Sequence, residues 1–180
     1  WTLHEHGNLS QCIAICEDSL RKLDNTPFHA ILDKNLLQNQ NEVADYICEF
    51  VKATSPELEI KSIYIEMNGF TINPDCWFID IFGYSTFELL EDPDWLSDWQ
   101  SDDFSQLPLK GYEMMQQAYE EYYLEGTYSE ASDITDVLIP LRLQELIGAA
   151  HQTAKANCPQ LSQIPIISTS HEEEFFYISR

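Results

Sequence analysis

Residues 76–82 form a run that is apolar on both of the faces that a β-strand presents. Only Asp80 interrupts the sequence Cys-Trp-Phe-Ile-Asp-Ile-Phe. Alternate side chains of a strand point to opposite faces, so a strand like this is typically central in its sheet and covered on both sides. Residues 58–67 predict a second strand, and Asn68 with Gly69 supplies a turn that tolerates positive φ. The two segments predict a long hairpin.

Four segments with helical periodicity flank this hairpin. They cover residues 8–24, 39–54, 112–125 and 132–157. Asn8, Asn39 and Ser132 are predicted to cap the first, second and fourth helices, because their side chains can accept hydrogen bonds from free backbone N–H groups. Pro140 falls inside the fourth segment and predicts either a kink or a new helix start.

Two apolar runs near the C-terminus, at 164–167 and 175–178, predict a second hairpin around residues 170–173. Residues 107–109 are a candidate for a short edge strand. The order of elements predicts an α+β fold: a mostly antiparallel sheet of two hairpins with four main helices packed mainly on one face. A length of 180 residues is typical of one domain, predicted here over residues 1–180, with 1–7 poorly ordered.

The charge balance limits the classes of partner. The chain has 31 acidic and 9 basic side chains, a formal net charge of −22. Such a surface repels nucleic-acid phosphates and anionic lipid headgroups and attracts basic proteins. A basic protein partner is therefore predicted, without nucleic acid or membrane binding, although acidity could also serve solubility alone. No apolar run approaches the roughly 18 residues of a transmembrane helix.

The cysteines indicate the compartment. Five are present, an odd number without a CxxC pair, and four lie in apolar patterns. Reduced, buried thiols in a cytoplasmic protein fit this usage. The N-terminal residues show no signal-peptide pattern. The chain also lacks an initiator Met, which is compatible with a fragment or a processed product.

An acidic segment with two tryptophans is the main candidate for a functional surface. Residues 86–136 hold 14 acids and one base. Trp95 and Trp99 are four residues apart, and three aspartates repeat at the same spacing. On a helical turn the indoles would share one face and the carboxylates an adjacent one, where like charges repel unless a basic partner binds. The predicted binding residues are Asp92, Asp94, Trp95, Asp98, Trp99, Asp102 and Asp103.

Two other interpretations of this segment remain open. The tryptophans could cap the hydrophobic core while the aspartates face water, since large aromatic residues are often core residues. A calcium loop is the other interpretation, but the segment lacks the glycine and the terminal glutamate of an EF-hand loop.

Asp80 raises the possibility of an enzyme. A carboxylate buried in a strand must be paired, for example with Lys61 or a backbone donor, or its pKa rises as a general acid requires. The alternative function is therefore a carboxylate-based hydrolase, with or without a divalent metal. Its candidate residues are Asp75, Asp80, Asp92, Asp94 and His171. A structural or assembly subunit is the third possibility.

Known catalytic signatures do not occur. The chain contains no GxSxG, HExxH, GxGxxG or GxxxxGK[ST] pattern. His4 and His6 flank Glu5 on a terminus predicted to be poorly ordered, which makes a weak metal site. No catalytic residue, metal ligand or cofactor is therefore assigned, and nothing specifies an oligomeric state.

These observations favour a cytoplasmic protein that binds a basic partner through the acidic tryptophan segment. An immunity protein, or another inhibitor of a basic enzyme, is its concrete form. Small acidic proteins that neutralise basic toxins or nucleases share this charge balance, which is an analogy of composition alone. Carboxylates would stand where substrate phosphates sit, and the tryptophans would anchor the contact.

Overall fold

A computed structural model of the chain describes residues 9–69, 73, 75–88, 90, 92–125, 129–171, 173 and 176–180. The predictions for residues 1–7 and for Asn8 lie outside that part. Its helices are α1 (Leu9–Leu20), α2 (Gln40–Thr54), α3 (Glu113–Glu125) and α4 (Glu130–Asn157). Its strands are β1 (Ser62–Asn68), β2 (Phe78–Tyr84), β3 (Leu107–Pro108), β4 (Ile166–Ser170) and β5 (Tyr177–Ser179). The predicted α+β class is confirmed.

The five strands form one mixed sheet in the order β3-β2-β1-β4-β5. The predicted hairpins β1–β2 and β4–β5 are antiparallel, and β3 is the short edge strand beside β2. The hairpins meet through β1 and β4, which pair in parallel. Tyr64 of β1 thus lies between Phe82 of β2 and Ile167 of β4. A parallel pair needs a long crossover, and the chain between β1 and β4 contains α3 and α4.

The four helices share one hydrophobic core with one face of the sheet. The predicted apolar stripe of α2, formed by Val43, Ile47, Phe50 and Val51, is fully buried. The sheet contributes alternate side chains of its central strands, because the pleat directs every second residue to the same face. These are Ile63, Ile65, Met67, Ile79, Ile81 and Ile166. Packing of the helices on one face is therefore confirmed.

Helix α4 runs through Pro140 without interruption, so no new helix begins there. Its cap lies three residues before the predicted one. The Ser129 hydroxyl accepts from the Ser132 backbone N–H (3.2 Å), and the Ser132 hydroxyl accepts from the Ser129 N–H (3.1 Å). Ser132 is thus the second member of a capping box. Among the described helices, none combines the length and hydropathy needed to cross a bilayer.

Asn39 precedes α2 as predicted, but its side chain does not cap the helix. The buried amide instead pairs with the backbone of Lys110, donating to its carbonyl (2.9 Å) and accepting from its N–H (3.1 Å). A short 3-10 helix, Leu37–Asn39, leads directly into α2. The Asn39 side chain therefore joins the start of α2 to the chain after β3.

Position 69 has no room for a side chain larger than that of glycine. A Cβ atom at Gly69 would lie 2.9 Å from Cγ of the buried Trp77 indole. Among the described residues, positive φ occurs at Gly111 and Asp33, so Gly69 does not use the positive φ that it would tolerate. Its role is to let the chain pass against the indole.

Candidate functional site

The face of the sheet turned away from the helices carries a separate apolar cluster, and we call it the second face. Its buried members are Tyr64, Tyr84, Leu96 and Ile167, with Phe82, Leu90, Trp95, Phe176 and Ile178 partly buried around them. None of these described residues belongs to an α-helix. Residues 92–103, which we call the tryptophan segment, supply Leu96 and Trp95. This segment therefore covers part of the second face.

Hydrogen bonds fasten the tryptophan segment to the end of β2. The Gly83 carbonyl accepts from the backbone N–H groups of Gln100 (3.0 Å) and Ser101 (3.2 Å). The Gly83 N–H donates to the Ser101 hydroxyl (3.0 Å), and the Tyr84 hydroxyl donates to the Leu96 carbonyl (2.7 Å). The Ser85 N–H donates to Oε1 of Gln100 (2.9 Å). The segment is therefore anchored at both its middle and its C-terminal end.

The two tryptophans occupy different environments. Trp95 is half-buried, with its ring edge-on to Tyr84 at a centroid distance of 5.1 Å. Trp99 packs against Phe82 at 4.9 Å but remains 44% exposed. The 3-10 helix Pro93–Ser97 ends before Trp99, so the shared helical face predicted for the two indoles does not form. Both rings instead lie against side chains of the second face, and Trp99 is the accessible one.

The aspartates of the segment are exposed and do not share a helix face. Asp92 accepts a long hydrogen bond (3.5 Å) from the Asp94 N–H and so caps the 3-10 helix. Asp98 follows that helix, and Asp102 and Asp103 lie in irregular chain. The predicted repulsion along one helical stripe is therefore absent. Within the described part of the chain, no ion pair involves any of these five carboxylates.

Asp80 lies on the second face beside Glu66, its cross-strand partner in β1. The side-chain amide of Asn68 donates to Asp80 (2.8 Å), and Gln106 provides another side-chain hydrogen bond. The suggested ion pair of Asp80 with Lys61 does not form, because Lys61 pairs with Glu59. Burial raises the pKa of the Asp80 carboxyl, and the charge of Glu66 adds to the rise, whereas both amides lower it.

Glu66, which the sequence did not single out, connects Asp80 with His171. Its Oε1 lies 2.8 Å from Nδ1 of His171, and its Oε2 accepts from the Tyr64 hydroxyl (2.7 Å). Of the five hydrolase candidates, the structure thus brings together Asp80 and His171. No hydrogen bond or ion pair between described residues joins Asp75, Asp92 or Asp94 to them. Only the alternation of β1 could have indicated Glu66, since it shares a face with Tyr64.

A metal site would need several ligand side chains close together. Among the described residues, no group of three or more His, Cys, Asp or Glu side chains is arranged to hold a metal ion. His4 and His6, which were considered as metal ligands, lie outside the described residues.

Asp80→Asn is expected to remove one component of the pH dependence of stability. The folded pKa of Asp80 lies above its unfolded value of about 3.9. At pH values between the two, the folded state binds more protons, so lowering the pH through the folded pKa increases stability. Between about pH 7 and about pH 4.5, the wild type should therefore gain stability relative to Asp80→Asn in urea unfolding.

A matched change at the neighbouring carboxylate provides the control. Glu66→Gln removes the negative charge that helps to raise the pKa of Asp80, so it should reduce the gain seen on acidification. Parallel stability curves for the wild type and Asp80→Asn across this pH range would show that the folded environment does not disfavour the Asp80 carboxylate.

No family model matches this chain, and neither a curated protein nor a solved structure matches it. A functional assignment therefore depends on the geometry and charge of the second face.

Proposed function

We propose that this protein is an acidic protein-binding module that engages a basic partner through the tryptophan segment. The observation that carries the proposal is the exposed indole of Trp99, held against Phe82 in a segment that also carries the exposed carboxylates of Asp98, Asp102 and Asp103. A large aromatic anchor surrounded by charge is the composition of an interface hot spot. Its basic complement would be rich in Lys or Arg.

The backbone hydrogen bonds of the tryptophan segment reduce the conformational entropy that it would lose on binding a partner. The hydrogen bonds to Gly83 and the Tyr84–Leu96 bond hold the backbone on both sides of Trp99. A surface that is ordered before contact loses less conformational entropy on association. The proposed interface would therefore form without a folding step in this segment.

Charge supplies the long-range part of the mechanism. A net charge of −22 attracts a basic protein before contact and raises the rate of encounter. After contact, Trp99 provides apolar burial, and the aspartates pair with cations of the partner. An inhibitor of a basic enzyme, such as an immunity protein, is the concrete form of this function, because carboxylates can occupy positions where a basic active site binds phosphate.

The test compares two triple variants that remove the same charge. One neutralises the segment with Asp98→Asn, Asp102→Asn and Asp103→Asn. The other neutralises exposed carboxylates on and just after α2 with Asp45→Asn, Glu49→Gln and Glu57→Gln. At low salt, immobilised wild type and the α2 variant should retain the same basic protein from a lysate of the source cells. The segment variant and Trp99→Ala should each retain at least about tenfold less of that basic protein.

Two outcomes would contradict the proposal. If the wild type retained no basic protein at low salt, a basic protein would be excluded as the partner. Equal losses in both triple variants, with Trp99→Ala unchanged, would show that overall acidity alone causes retention. Binding to the purified partner should also weaken steeply with added salt, because exposed charges are screened over about 10 Å at 0.1 M.

A carboxylate-based hydrolase is the second candidate, favoured by the grouping of Asp80, Glu66 and His171. Burial raises the pKa of Asp80, which is the direction that a proton donor requires. Chromogenic esters, phosphoesters and glycosides can be screened with the wild type and Asp80→Asn. Turnover that Asp80→Asn abolishes would support the hydrolase, and a wild type without turnover on all three classes would count against it.

A further inference from the structure

An open apolar groove lies between α1 and α4, with a cavity volume of about 530 Å³. Its α1 wall includes Cys12, Ile15 and Cys16, and its α4 wall includes Ile134, Val137 and Leu141. Ile15 is 57% exposed and Val137 is 39% exposed. Both helices pack on the side of the sheet opposite the second face, so the groove is separate from the tryptophan segment.

The length of the groove corresponds to about two helical turns. Its α1 wall extends from Cys12 to Ser19, and the apolar part of its α4 wall extends from Ile134 to Leu141, after Glu130 and Asp133. Each of these two stretches contains eight residues, which span about 10 Å at a rise of ~1.5 Å per residue. A bound helix would present apolar side chains at positions i, i+3 or i+4, and i+7 over this distance.

The rim of the groove is acidic. Glu130 and Asp133 in the first turn of α4, together with Glu173, lie along its edge. Among the described lining residues there is no basic side chain. An apolar floor with a carboxylate rim complements an apolar ligand surface flanked by cations, and it disfavours an anionic amphiphile such as a fatty acid.

We propose that the α1–α4 groove binds an amphipathic helix with basic flanks, contributed by a partner protein. Its apolar face would cover Ile15 and Val137, and its Lys or Arg side chains would meet the exposed carboxylates of Glu130 and Asp133. This is a second docking site, in addition to the proposed surface at the tryptophan segment. It depends on helix-in-groove packing, whereas the first site depends on an exposed indole.

Two thiols in the groove provide a built-in reporter of occupancy. Cys12 and Cys16 are partly exposed there, whereas Cys48 and Cys158 are buried. The remaining thiol, Cys76, is exposed and free. In a Cys76→Ser background, alkylation by N-ethylmaleimide therefore reports on the groove. Burial, the neighbouring Cys12 thiol and Glu17 raise the pKa of Cys16, so the assay is best run at mildly alkaline pH, where more thiolate forms.

The probe is a synthetic helical peptide of about 15 residues, with leucines on one face and lysines on the other. In the Cys76→Ser protein it should bind and slow alkylation of Cys12 and Cys16 by about tenfold or more. A peptide with glutamates in place of the lysines should not protect them. Ile15→Asn with Val137→Asn adds no charge at two exposed positions, and circular dichroism checks its folding. This variant should bind the lysine peptide about tenfold more weakly.

Several results would overturn the proposal. Equal binding of the lysine peptide to the wild type and the Ile15→Asn, Val137→Asn variant would show adsorption on the acidic surface. Binding without protection of Cys12 and Cys16 would place the peptide elsewhere. Protection by dodecyltrimethylammonium but not by the peptide would assign the groove to a small cationic amphiphile.

A separate variant distinguishes this site from the proposed function. Trp99→Ala should leave peptide binding and thiol protection unchanged, because Trp99 lies on the second face. Loss of peptide binding in Trp99→Ala would place the peptide on the tryptophan segment and overturn the groove assignment. Failure to find a basic partner for that segment would leave the thiol-protection result unaffected.

Discussion

Replacing Arg142 by alanine is expected to lower the free energy of unfolding by about 2–4 kcal/mol, between the ~1 kcal/mol of an exposed ion pair and the ~3–5 kcal/mol lost when one partner of a buried pair is removed. Arg142 of α4 is 12% exposed and reaches Glu17 of α1 at 2.7 Å and Glu145 at 2.8 Å. Without the guanidinium, Glu145 loses its ion-pair partner and Glu17 keeps only the longer contact with Arg21 at 3.5 Å, in a protein that already carries −22. Urea or guanidinium unfolding measures the effect.

Arg21 provides the matched control for Arg142. It contacts the same Glu17 at 3.5 Å, together with Asp18 and Asp33, but it is 39% exposed. Arg21→Ala changes the net charge equally and should cost no more than about 1 kcal/mol, because exposed ion pairs contribute little.

A double variant separates charge burial from packing at the same site. Arg142→Met with Glu17→Gln removes both charges of the α1–α4 pair and should recover part of the stability lost in Arg142→Ala, while Glu145 stays without its partner. Equal destabilisation by Arg142→Ala and Arg21→Ala would contradict the role assigned to the buried pair.

His151→Ala is expected to lower the free energy of unfolding by about 2–4 kcal/mol, from the cavity and from two lost hydrogen bonds. His151 of α4 is fully buried. Its Nε2 lies 3.1 Å from the Leu161 carbonyl, which only accepts, so Nε2 carries the proton. Nδ1 then accepts from the Ser179 hydroxyl at 2.8 Å. Alanine would leave the Leu161 and Ser179 groups without these partners, and chemical denaturation at neutral pH measures the loss.

The same histidine should give the protein a specific pH dependence. Burial lowers the pKa of His151 below its ordinary value of about 6.5. Below about pH 6.5 the unfolded state therefore takes up a proton that the folded state excludes. The free energy of unfolding consequently decreases as the pH is lowered. His151→Gln, which does not titrate, should lose this component.

The comparison between the two proteins isolates the effect of His151. Acidification also relieves the self-repulsion of the many carboxylates, but it does so similarly in the wild type and in His151→Gln. The informative quantity is therefore the difference between their unfolding free energies from about pH 7.5 to about pH 5. A difference that does not change with pH would show that His151 is not held neutral by the fold.

Local patterns predicted the elements well because each pattern lies within a few residues of chain. The stripe of α2 and the alternation of β1 and β2 depend only on which side chains share a face. The caps were less predictable. Asn39 and Ser132 are both good cap residues by type, yet the amide of Asn39 pairs with Lys110 and Ser129 caps α4. A partner distant in sequence decided the role of Asn39, whereas a serine three residues earlier in the chain took the role predicted for Ser132.

The candidate site shows the same division. Charge and tryptophan content singled out residues 92–103, and that they form a binding surface stays a prediction. The condition for both indoles to share one helical face is not met, because the 3-10 helix ends at Ser97, before Trp99. Hydrogen bonds from this segment to Gly83 and Tyr84 determine instead which indole is exposed.

The sequence by itself determined the α+β class, the positions of the main helices and strands, and the acidic surface, because periodicity and composition are local or additive properties. The tertiary structure decided the parallel pairing of β1 with β4, the coverage of the second face by the tryptophan segment, and the grouping of Glu66, Asp80 and His171. These features depend on contacts between segments tens of residues apart, up to 105 residues for Glu66 and His171. Such contacts are selected by how apolar area and hydrogen bonds are satisfied together across the whole fold.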